Sequence, residues 1–563
     1  MLYASIMSVN LASYLKGMHS QSVTCNWDVA VTYDEAKINA LLADRWAQPG
    51  SGMTTEVDIQ EKTDDRLGEY YQNYQFNLGP PLIQFQSSSS NPTCSLKTPI
   101  ASGSIWVSEI DDPDTKENEK QLNPDTYWIT ISNIHLSALD GNAEPAGTGD
   151  DTITFPANDE SDRYIVIDIP ITGENDLAVS VDYPYDYEPP TAMKQAFLET
   201  ALKQFLKKKT NAFAYRLASI NNYKPSSGTL DLVPQAFRFV TYHYASDNLS
   251  FLTLLVQTKG SSSPGDTKDV QAEWVTTWTN RAKVPPVPST QSASIIINNS
   301  FFLQSFVRPA LLSQTTSMDD ITITDDIGGI GLQCQWPKQS REQKNYSQGY
   351  GDITSWPLDW KWSELHVPEA QYDPNNGSPL MLTFSHSNGF DKPATLHIYW
   401  QYKYKSTWNG VQIKRFWLKD TDGPGQWVPD TKKCDGSFNT TYTLDKTISL
   451  TDLSDEDLSI NVDARSDEWR TDPVPDAGNG FWGDISAVFG GTAHQGDIPS
   501  FVKDTTMGGI GFKLSFGTLR FFSVTNILLP GQKVIDVNIK NGLCIPRDCA
   551  ILGNVVEPAN IQA

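Results

Sequence analysis

Alternation of apolar and polar residues with a period of two recurs along most of the chain and predicts β-strands. The alternating stretches are rich in β-branched and aromatic residues, and clusters of Gly, Pro, Asn, Asp and Ser separate them, as is typical of turns. The clearest stretches begin at Tyr127, Arg163, Asp176, Phe237, Leu249 and Thr395. Because one face of such a strand is apolar and the other polar, the pattern favours antiparallel sheets.

One alternating stretch near the start, CNWDVAV from Cys25, leads directly into a helical pattern at 34–47. There the apolar residues return every three or four positions, which places them on one face of a helix. They are Ile38, Leu41, Leu42 and Trp46. A helix that follows a strand so closely needs an apolar surface to pack on, and the sheets must supply it.

A longer helix is predicted at 191–219, where Pro190 and Thr191 provide a start signal. Its apolar face is formed by Met193, Phe197, Leu198, Ala201, Leu202 and Phe205. A third helix is predicted near 299–314, with a stripe of phenylalanines, and Pro309 is expected to kink or end it.

The segment 282–294 is rich in Pro and Ser and has no apolar periodicity. Such a segment is typical of a boundary between modules, so we place one near Pro288. The prediction is an N-terminal β-rich module at 1–287 with the first two helices, and a C-terminal β-rich, Trp-rich module at 288–563 with the third.

Composition and charge limit the classes of partner. Of the 563 residues, 39% are hydrophobic and 20% charged, which is ordinary for a folded protein. A formal net charge of −24 argues against nucleic acid as a partner. No run of about 18 apolar residues predicts a transmembrane helix. The N-terminus lacks the basic region and unbroken apolar core of a signal peptide, so we expect a cytoplasmic protein or export by a non-classical route.

Catalytic motifs are not found in the sequence. It contains no P-loop, dinucleotide fingerprint, H-E-x-x-H or G-x-S-x-G, and its 7 histidines follow no metal-ligand spacing. We therefore expect a protein that is not an enzyme and that needs no metal or cofactor. Cys544 and Cys549, in CIPRDC, match neither a zinc site nor a redox pair, and free buried thiols are favoured over a local disulfide.

Tryptophan is concentrated in the second half, where SWPLDWKW contains Trp356, Trp360 and Trp362. Packing in a β-rich core explains them most simply, and stacking on sugar rings or binding at a membrane interface is the alternative.

Two groups of basic residues stand out in so acidic a chain. The first lies at the end of the long helix: Lys203, Lys207, Lys208 and Lys209. Cations there complement the helix dipole, and the alternative is a site for anionic lipid headgroups. The second candidate patch is Lys403, Lys405, Lys414, Arg415 and Lys419.

Three motifs, in the same order along the chain, carry a resemblance to a known family. They are CNWDVAVTYDEAKINALL from Cys25, SFFLQSFVRPAL from Ser300 and TNILLPGQKVI from Thr525. Together they resemble the OrfX and p-forty-seven accessory proteins of bacterial neurotoxin gene clusters, which are tubular lipid-binding (TULIP) proteins. The resemblance implies an α+β fold in which long curved antiparallel sheets wrap around amphipathic helices, in two modules.

The function that the resemblance implies is binding of a lipid or another apolar ligand, including phosphoinositides, in a role accessory to a toxin or a host interaction. It places the apolar faces of the helices at 34–47 and 191–219 in the ligand groove, with the Lys203–Lys209 cluster at the headgroup. Two alternatives stay open: a carbohydrate-binding or carbohydrate-active β-protein, and a non-catalytic component of a protein complex.

Overall fold

The structure is a computed structural model. It describes residues 9–19, 21–47, 56–65, 68–86, 92–122, 124, 128–140, 153–154, 163–167, 178–182, 215–220, 234–246, 248–258, 261, 265, 269–308, 322–326, 329–334, 343–368, 378–386, 389–450, 458–461, 464–472, 511–514, 535–537 and 544–555. The description below applies to these residues.

Four helices and 26 strands are described. The helices are α1 (Leu11–Met18), α2 (Glu35–Trp46), α3 (Val270–Thr276) and α4 (Asn299–Phe302), and the last two continue as π-helical turns at Thr277–Ala282 and Leu303–Val307. The strands are β1 (Val29–Asp34), β2 (Glu56–Asp65), β3 (Gly68–Leu78), β4 (Leu82–Gln86), β5 (Thr93–Glu109), β6 (Glu117–Leu122), β7 (Trp128–Asp140), β8 (Ile153–Thr154), β9 (Arg163–Ile167), β10 (Ala178–Asp182), β11 (Tyr215–Ile220), β12 (Pro234–Tyr244), β13 (Leu249–Thr258), β14 (Ala293–Ile297), β15 (Thr322–Asp326), β16 (Gly329–Cys334), β17 (Lys344–Ser347), β18 (Lys361–Val367), β19 (Leu380–Ser385), β20 (Thr395–Leu418), β21 (Gln426–Ser449), β22 (Leu458–Asn461), β23 (Ala464–Asp472), β24 (Gly511–Leu514), β25 (Ile535–Val537) and β26 (Cys549–Val555).

The β-rich architecture predicted from the alternation is confirmed. All six predicted stretches contain strands, namely β7, β9, β10, β12, β13 and β20. The pairings between the described strands are antiparallel, as the two-faced pattern predicts. The chain is therefore a β-rich protein with few helices and several antiparallel sheets.

The helix predicted at 34–47 is α2, and its first turn is capped by the carboxylate of Asp34, which accepts from the backbone N–H of Lys37 at 3.2 Å. The helix predicted near 299–314 begins as α4, capped by Asn298, whose side chain accepts from the N–H groups of Ser300 and Phe301. Residues 309–314 lie outside the described part, so the effect of Pro309 stays a prediction.

The C-terminal bound predicted for the helix at 191–219 is wrong. Residues 215–219 belong to strand β11, which pairs antiparallel with β9 from Tyr215 opposite Ile167 to Ile220 opposite Arg163. The apolar spacing that defines a helical face ends before this stretch, and inter-strand hydrogen bonds override the local helix propensity. Residues 191–214 lie outside the described part, so the helix itself stays a prediction there.

The first sheet has seven strands in the order β25-β26-β14-β1-β13-β12-β8. Its strands come from distant parts of the chain, since β14 lies between β1 and β26. Strands from both sides of Pro288 therefore share this sheet, and the module boundary placed there stays a prediction. A second sheet of nine strands is built from 56–220 and a third of eight strands from 322–472.

One face of the first sheet is covered by α1 and α3. Their buried aromatic rings are Tyr14, Trp274 and Trp278, and Tyr14 stacks on Trp278 at 6.3 Å between ring centroids. They pack in one hydrophobic cluster with Ala30 and Leu255, which lie opposite each other on β1 and β13. The opposite face of these strands is also buried, so the sheet is a central layer rather than an outer wall.

The second and third sheets each contact the layer formed by the first sheet and its helices. From the second sheet, β4 approaches β12, where the Thr241 hydroxyl donates to the Gln86 carbonyl at 2.6 Å. From the third, Phe384 of β19 packs edge-to-face on Phe302 of α4 at 5.4 Å. Both phenylalanines are fully buried, and α4 therefore connects the first sheet to the third through apolar contact.

A turn at 544–549, the C-terminal turn, ties together three distant segments. Its Asp548 carboxylate is 1% exposed. One oxygen accepts from the Val23 N–H at 2.7 Å and the Ser22 hydroxyl at 3.0 Å, and the other accepts from the Asn299 N–H at 3.0 Å. The start of α4 and the loop before β1 are thus held by one buried carboxylate.

His386 ties the third sheet to the same turn. Its Nε2 accepts from the Ile545 N–H at 3.1 Å, and its Nδ1 donates to the Lys392 carbonyl at 3.0 Å. This pair of bonds requires the neutral ring. Burial lowers the pKa of His386, and the nearby His19 acts in the same direction.

The charge on Asp548 makes stability depend on pH. Burial raises its pKa from 3.8 to about 6, against its hydrogen bonds and Arg547. The folded chain therefore binds more protons than the unfolded chain between these values, so Asp548 favours folding more as pH falls through about 6. Between pH 7.5 and 5.5 we expect the wild type to gain about 1 kcal/mol relative to Asp548→Asn.

Denaturant unfolding of both proteins at the two pH values measures this difference. The comparison with Asp548→Asn cancels the opposite contribution of His386, whose protonation at low pH favours the unfolded chain. An equal pH response of the two proteins would contradict the assignment to Asp548.

Candidate functional site

Helix α2, predicted to line an apolar groove, lies between the first sheet and β4. Ile38 and Leu42 are 6% and 4% exposed, and Trp46 is half-buried. The side chain of Leu41 is outside the described part. The contacts show that α2 presents an apolar face to the sheets, and its role toward a ligand stays a prediction.

Polar side chains of α2 fix it along the edge of β4. The Asn39 amide donates to the Ile83 carbonyl at 2.8 Å and accepts from the Ile83 N–H at 2.6 Å, and Glu35 accepts from the Phe85 N–H at 2.6 Å. The other edge of β4 pairs with β5. The helix therefore takes the place of a neighbouring strand and satisfies backbone groups that an edge strand would leave unpaired.

The remaining predicted site residues lie outside the described part of the chain. They are Met193, Phe197, Leu198, Ala201, Leu202 and Phe205 of the predicted groove, and Lys203, Lys207, Lys208 and Lys209 of the predicted headgroup site. Their roles stay predictions.

A long hairpin of the third sheet reaches beyond its neighbours. Strands β20 and β21 have 24 residues each and pair along their whole length. Among the described strands, the pairing of β20 with β18 ends at Ile413, and that of β21 with β23 begins at Asp435. Residues 414–430, which we call the hairpin tip, therefore form a two-stranded ribbon about 17 Å long plus a turn.

Large hydrophobic side chains are exposed at the hairpin tip. Trp417 and Trp427 lie directly opposite each other, with ring centroids 5.3 Å apart, and are 53% and 41% exposed. Leu358, 57% exposed, lies in the adjoining loop, where the Pro357 carbonyl accepts from the Arg415 N–H at 2.7 Å. Among the described residues, Leu82 in β4 is the one other large hydrophobic side chain with such exposure.

The turn sequence explains how this tryptophan pair is presented. The turn KDTDGPG, at 419–425, contains two glycines and a proline, which are typical of tight turns. A Cβ on Gly425 would lie 2.6 Å from the Trp417 indole nitrogen, so only glycine leaves room for the ring there. The turn thus lets Trp417 lie against it with the outer part of the ring in solvent.

Charges at the hairpin tip balance. The tip contains three basic residues, Lys414, Arg415 and Lys419, and three acidic ones, Asp420, Asp422 and Asp430. Arg415 stacks over Trp427 at 4.9 Å, and Lys414 lies 4.4 Å from the centre of the Trp360 ring. The tip is therefore a neutral region of a chain whose net charge is −24.

The basic patch suggested by the sequence is divided by strand geometry. Lys403 and Lys405 lie in the body of β20, and Lys414 follows Lys403 by eleven residues, or about 37 Å of strand. Neighbouring residues of a strand also point to opposite faces, which separates Lys414 from Arg415. One continuous basic surface does not result.

The tryptophans of SWPLDWKW pack within the protein. Trp362 is 4% exposed and meets Trp408 edge-to-face at 5.3 Å. Trp356 is half-buried and donates its indole N–H to the Tyr350 carbonyl at 2.9 Å, and Trp360 is half-buried beneath Lys414. These three rings are in contacts of the protein itself, which weakens the interpretation that they stack on sugars.

Cys544 and Cys549 are free thiols in the structure, as the sequence favours. Burial raises the pKa of Cys544 to about 12 and raises that of Cys549 well above its ordinary value. Thiolate chemistry at neutral pH is therefore disfavoured.

No described helix combines the length and the apolar composition needed to cross a bilayer.

Comparison with known proteins gives matches among solved structures. No family model and no curated protein matches the chain. P47 from Clostridium botulinum A2 is similar at 12% identity and a TM-score of 0.45, over 94% of this chain and 98% of that one. P47 of Clostridium botulinum E1 follows at 11% identity and a TM-score of 0.44, over 94% and 99%. A lipopolysaccharide binding protein gives 9% identity and a TM-score of 0.24, over 94% and 99%.

These scores indicate a modest likeness and carry no detail of ligand or partner. The resemblance to the p-forty-seven proteins predicted from the sequence is confirmed by this comparison.

Proposed function

We propose that the protein binds lipid and that the hairpin tip is the part that meets a bilayer surface. The observation that supports this most directly is the exposed Trp417–Trp427 pair at the end of a protruding ribbon, with Leu358 beside it. Tryptophan is enriched at membrane interfaces because its ring is apolar while its indole N–H is polar.

The size of the hairpin tip favours a bilayer over a folded protein as the partner. A stable protein interface buries about 800 Å² on each side, usually around a central cluster of anchors. The end of a two-stranded ribbon offers only a few large apolar side chains, namely Trp417, Trp427 and the neighbouring Leu358. A bilayer can take up so small an apolar group, since it is deformable.

Charge defines the kind of bilayer. Charges separated by more than about 8 Å are largely screened at physiological salt, and the ribbon extends about 17 Å beyond its pairing with β18 and β23. The acidic body of the protein is therefore screened from a membrane that holds the neutral tip. Binding then rests on apolar insertion, and a zwitterionic bilayer is sufficient.

Flotation with phosphatidylcholine vesicles tests this proposal. We expect binding that changes less than twofold between about 0.1 and 0.5 M salt, because apolar insertion is not screened. Vesicles of phosphatidylcholine and phosphatidylserine are the comparison. Failure to float with phosphatidylcholine, together with salt-sensitive binding to the anionic vesicles, would contradict the proposal that the hairpin tip contacts the membrane. It would favour the predicted Lys203–Lys209 headgroup site.

The more detailed parts of the proposal rest on the family resemblance. They are a lipid held between α2, the predicted helix at 191–214 and the sheets, phosphoinositide as a ligand, a role accessory to a toxin, and the lack of catalytic activity. Native mass spectrometry of the purified protein tests the first. A lipid that co-purifies and is lost on Ile38→Asp but retained in Leu82→Ser would support it, and a lipid-free mass after incubation with vesicles would contradict it.

A further inference from the structure

A polar cleft crosses the outer face of the third sheet, away from the hairpin tip. It has a volume of about 550 Å³ and lies where β17, β18, β20 and β21 run side by side. This volume is within the range of small-molecule sites in proteins. The lining side chains come from four strands, so strand register decides which of them are neighbours.

Strand pairing arranges these side chains in two parallel rows. The first row is Asn345, His366, Asn409 and Asp435, each opposite the next. The second row, two residues along each strand, is Ser347, Glu364, Val411 and Lys433. With strands about 4.8 Å apart, each row spans about 14 Å, so the cleft is an elongated one.

The floor of the cleft is rigid. Beneath it the inner face of the sheet is closed by Trp362 and Trp408, which are 4% and 2% exposed. Gly410 is needed between them, since a Cβ there would lie 2.8 Å from the Trp362 ring and 2.4 Å from the Glu364 carbonyl. A β-bulge in β18 between Trp362 and Glu364 turns the following side chains toward the cleft.

The donors and acceptors of the cleft favour one class of ligand. Asn345 and Asn409 offer both N–H and carbonyl groups, Glu364 and Asp435 accept, and Lys433 donates. Two carboxylates against one ammonium disfavour an anion. Of the aliphatic lining residues, Leu365 is 1% exposed, so Val411 is left with little apolar surface to offer an acyl chain. A hydrogen bond between His366 and Asn345 orients the imidazole.

We propose that this cleft binds a saccharide, whose hydroxyl groups both donate and accept along each row. The sugar is either free or the oligosaccharide of a glycolipid. Asn409 precedes Trp417 by eight residues, or about 27 Å of strand, so a membrane at the hairpin tip leaves the cleft in water. Only the glycolipid source rests on the proposed membrane function.

Saturation-transfer NMR with soluble maltotriose, cellotriose and chitotriose tests whether the cleft binds a free saccharide. We expect transfer to at least one trisaccharide, with affinity at least tenfold lower in Asn409→Ala and in Asp435→Ala. Lys446→Gln, an exposed change on β21 outside the cleft, is the matched control and should bind as the wild type does. Trp417→Ser/Trp427→Ser should retain sugar binding, so failure of the membrane proposal leaves this result intact.

Phosphatidylcholine nanodiscs with and without ganglioside test whether the cleft binds the oligosaccharide of a glycolipid. Ganglioside-dependent binding that Asn409→Ala weakens, with no transfer to the soluble sugars, assigns the cleft to a glycolipid. The proposal is overturned if neither probe binds, or if binding is unchanged in both cleft variants.

Discussion

Replacing Asp548 with alanine is expected to lower the free energy of unfolding by about 3 kcal/mol at neutral pH. The change leaves the buried N–H groups of Val23 and Asn299 without their acceptor. Each such orphaned donor costs about 1–3 kcal/mol, and relief from burying a charge offsets part of the sum. The loss is large because two segments far apart in the sequence depend on one carboxylate.

Hydrogen exchange measures both the size of this effect and the segments in which it occurs. Amides of the Val23 and Asn299 segments should exchange roughly 100-fold faster in Asp548→Ala, in line with the lost stability. Asp111→Ala, in an exposed loop, is the control and should stay within about 0.5 kcal/mol of the wild type. Unchanged protection at both segments would show that Asp548 does not hold them.

The elements predicted correctly are those whose signal is local. Strand β13 could be identified because LSFLTLLVQT is apolar, β-branched and bounded by turn residues. Helix α2 has a capping Asp34 and apolar residues at helical spacing. Strand β11 follows the predicted helix with no Gly or Pro to mark a helix end, and its pairing with β9 makes its six residues extended.

Sites made by strand register or by a single distant contact carry no local signal. Asp548, the one acidic residue of CIPRDC, carries no distinguishing signal in the sequence, since its three partners come from segments around Ser22 and Asn299. The cleft residues Asn345 and Asp435 come from different strands, and they are aligned only once the register of four strands is known. Such sites depend on topology, which single-residue patterns do not encode.

The hairpin tip is an intermediate case, because its signal was present in the sequence. Trp417 and Trp427 flank DGPG, a turn signal that pairs flanking strand residues. The basic residues of KYKSTWNGVQIKRFWLK are the more conspicuous feature of this stretch in the sequence, although the structure separates them along β20. The pairing of two aromatic residues across a turn is therefore the better guide to this site.

Replacing both exposed tryptophans of the tip, Trp417→Ser/Trp427→Ser, is expected to weaken partitioning onto phosphatidylcholine vesicles by about 10- to 150-fold. Fully burying a large apolar side chain contributes about 1.5–3 kcal/mol, and roughly half of each ring is available in the free protein, which gives about 1.5–3 kcal/mol for the pair. The fold should persist, because the tip lies beyond the sheet.

Vesicle flotation and quenching by brominated phosphatidylcholine together measure this loss. Among the tryptophans in the described part of the chain, the two at the tip should be quenched in the bound wild type, and the double variant should lose that quenching. Leu82→Ser removes an exposed leucine of 37% exposure from β4 and is the matched control, with unchanged partitioning. If the double variant partitions as the wild type does, the membrane contact lies elsewhere on the protein, because apolar contact made by the tip cannot survive removal of both rings.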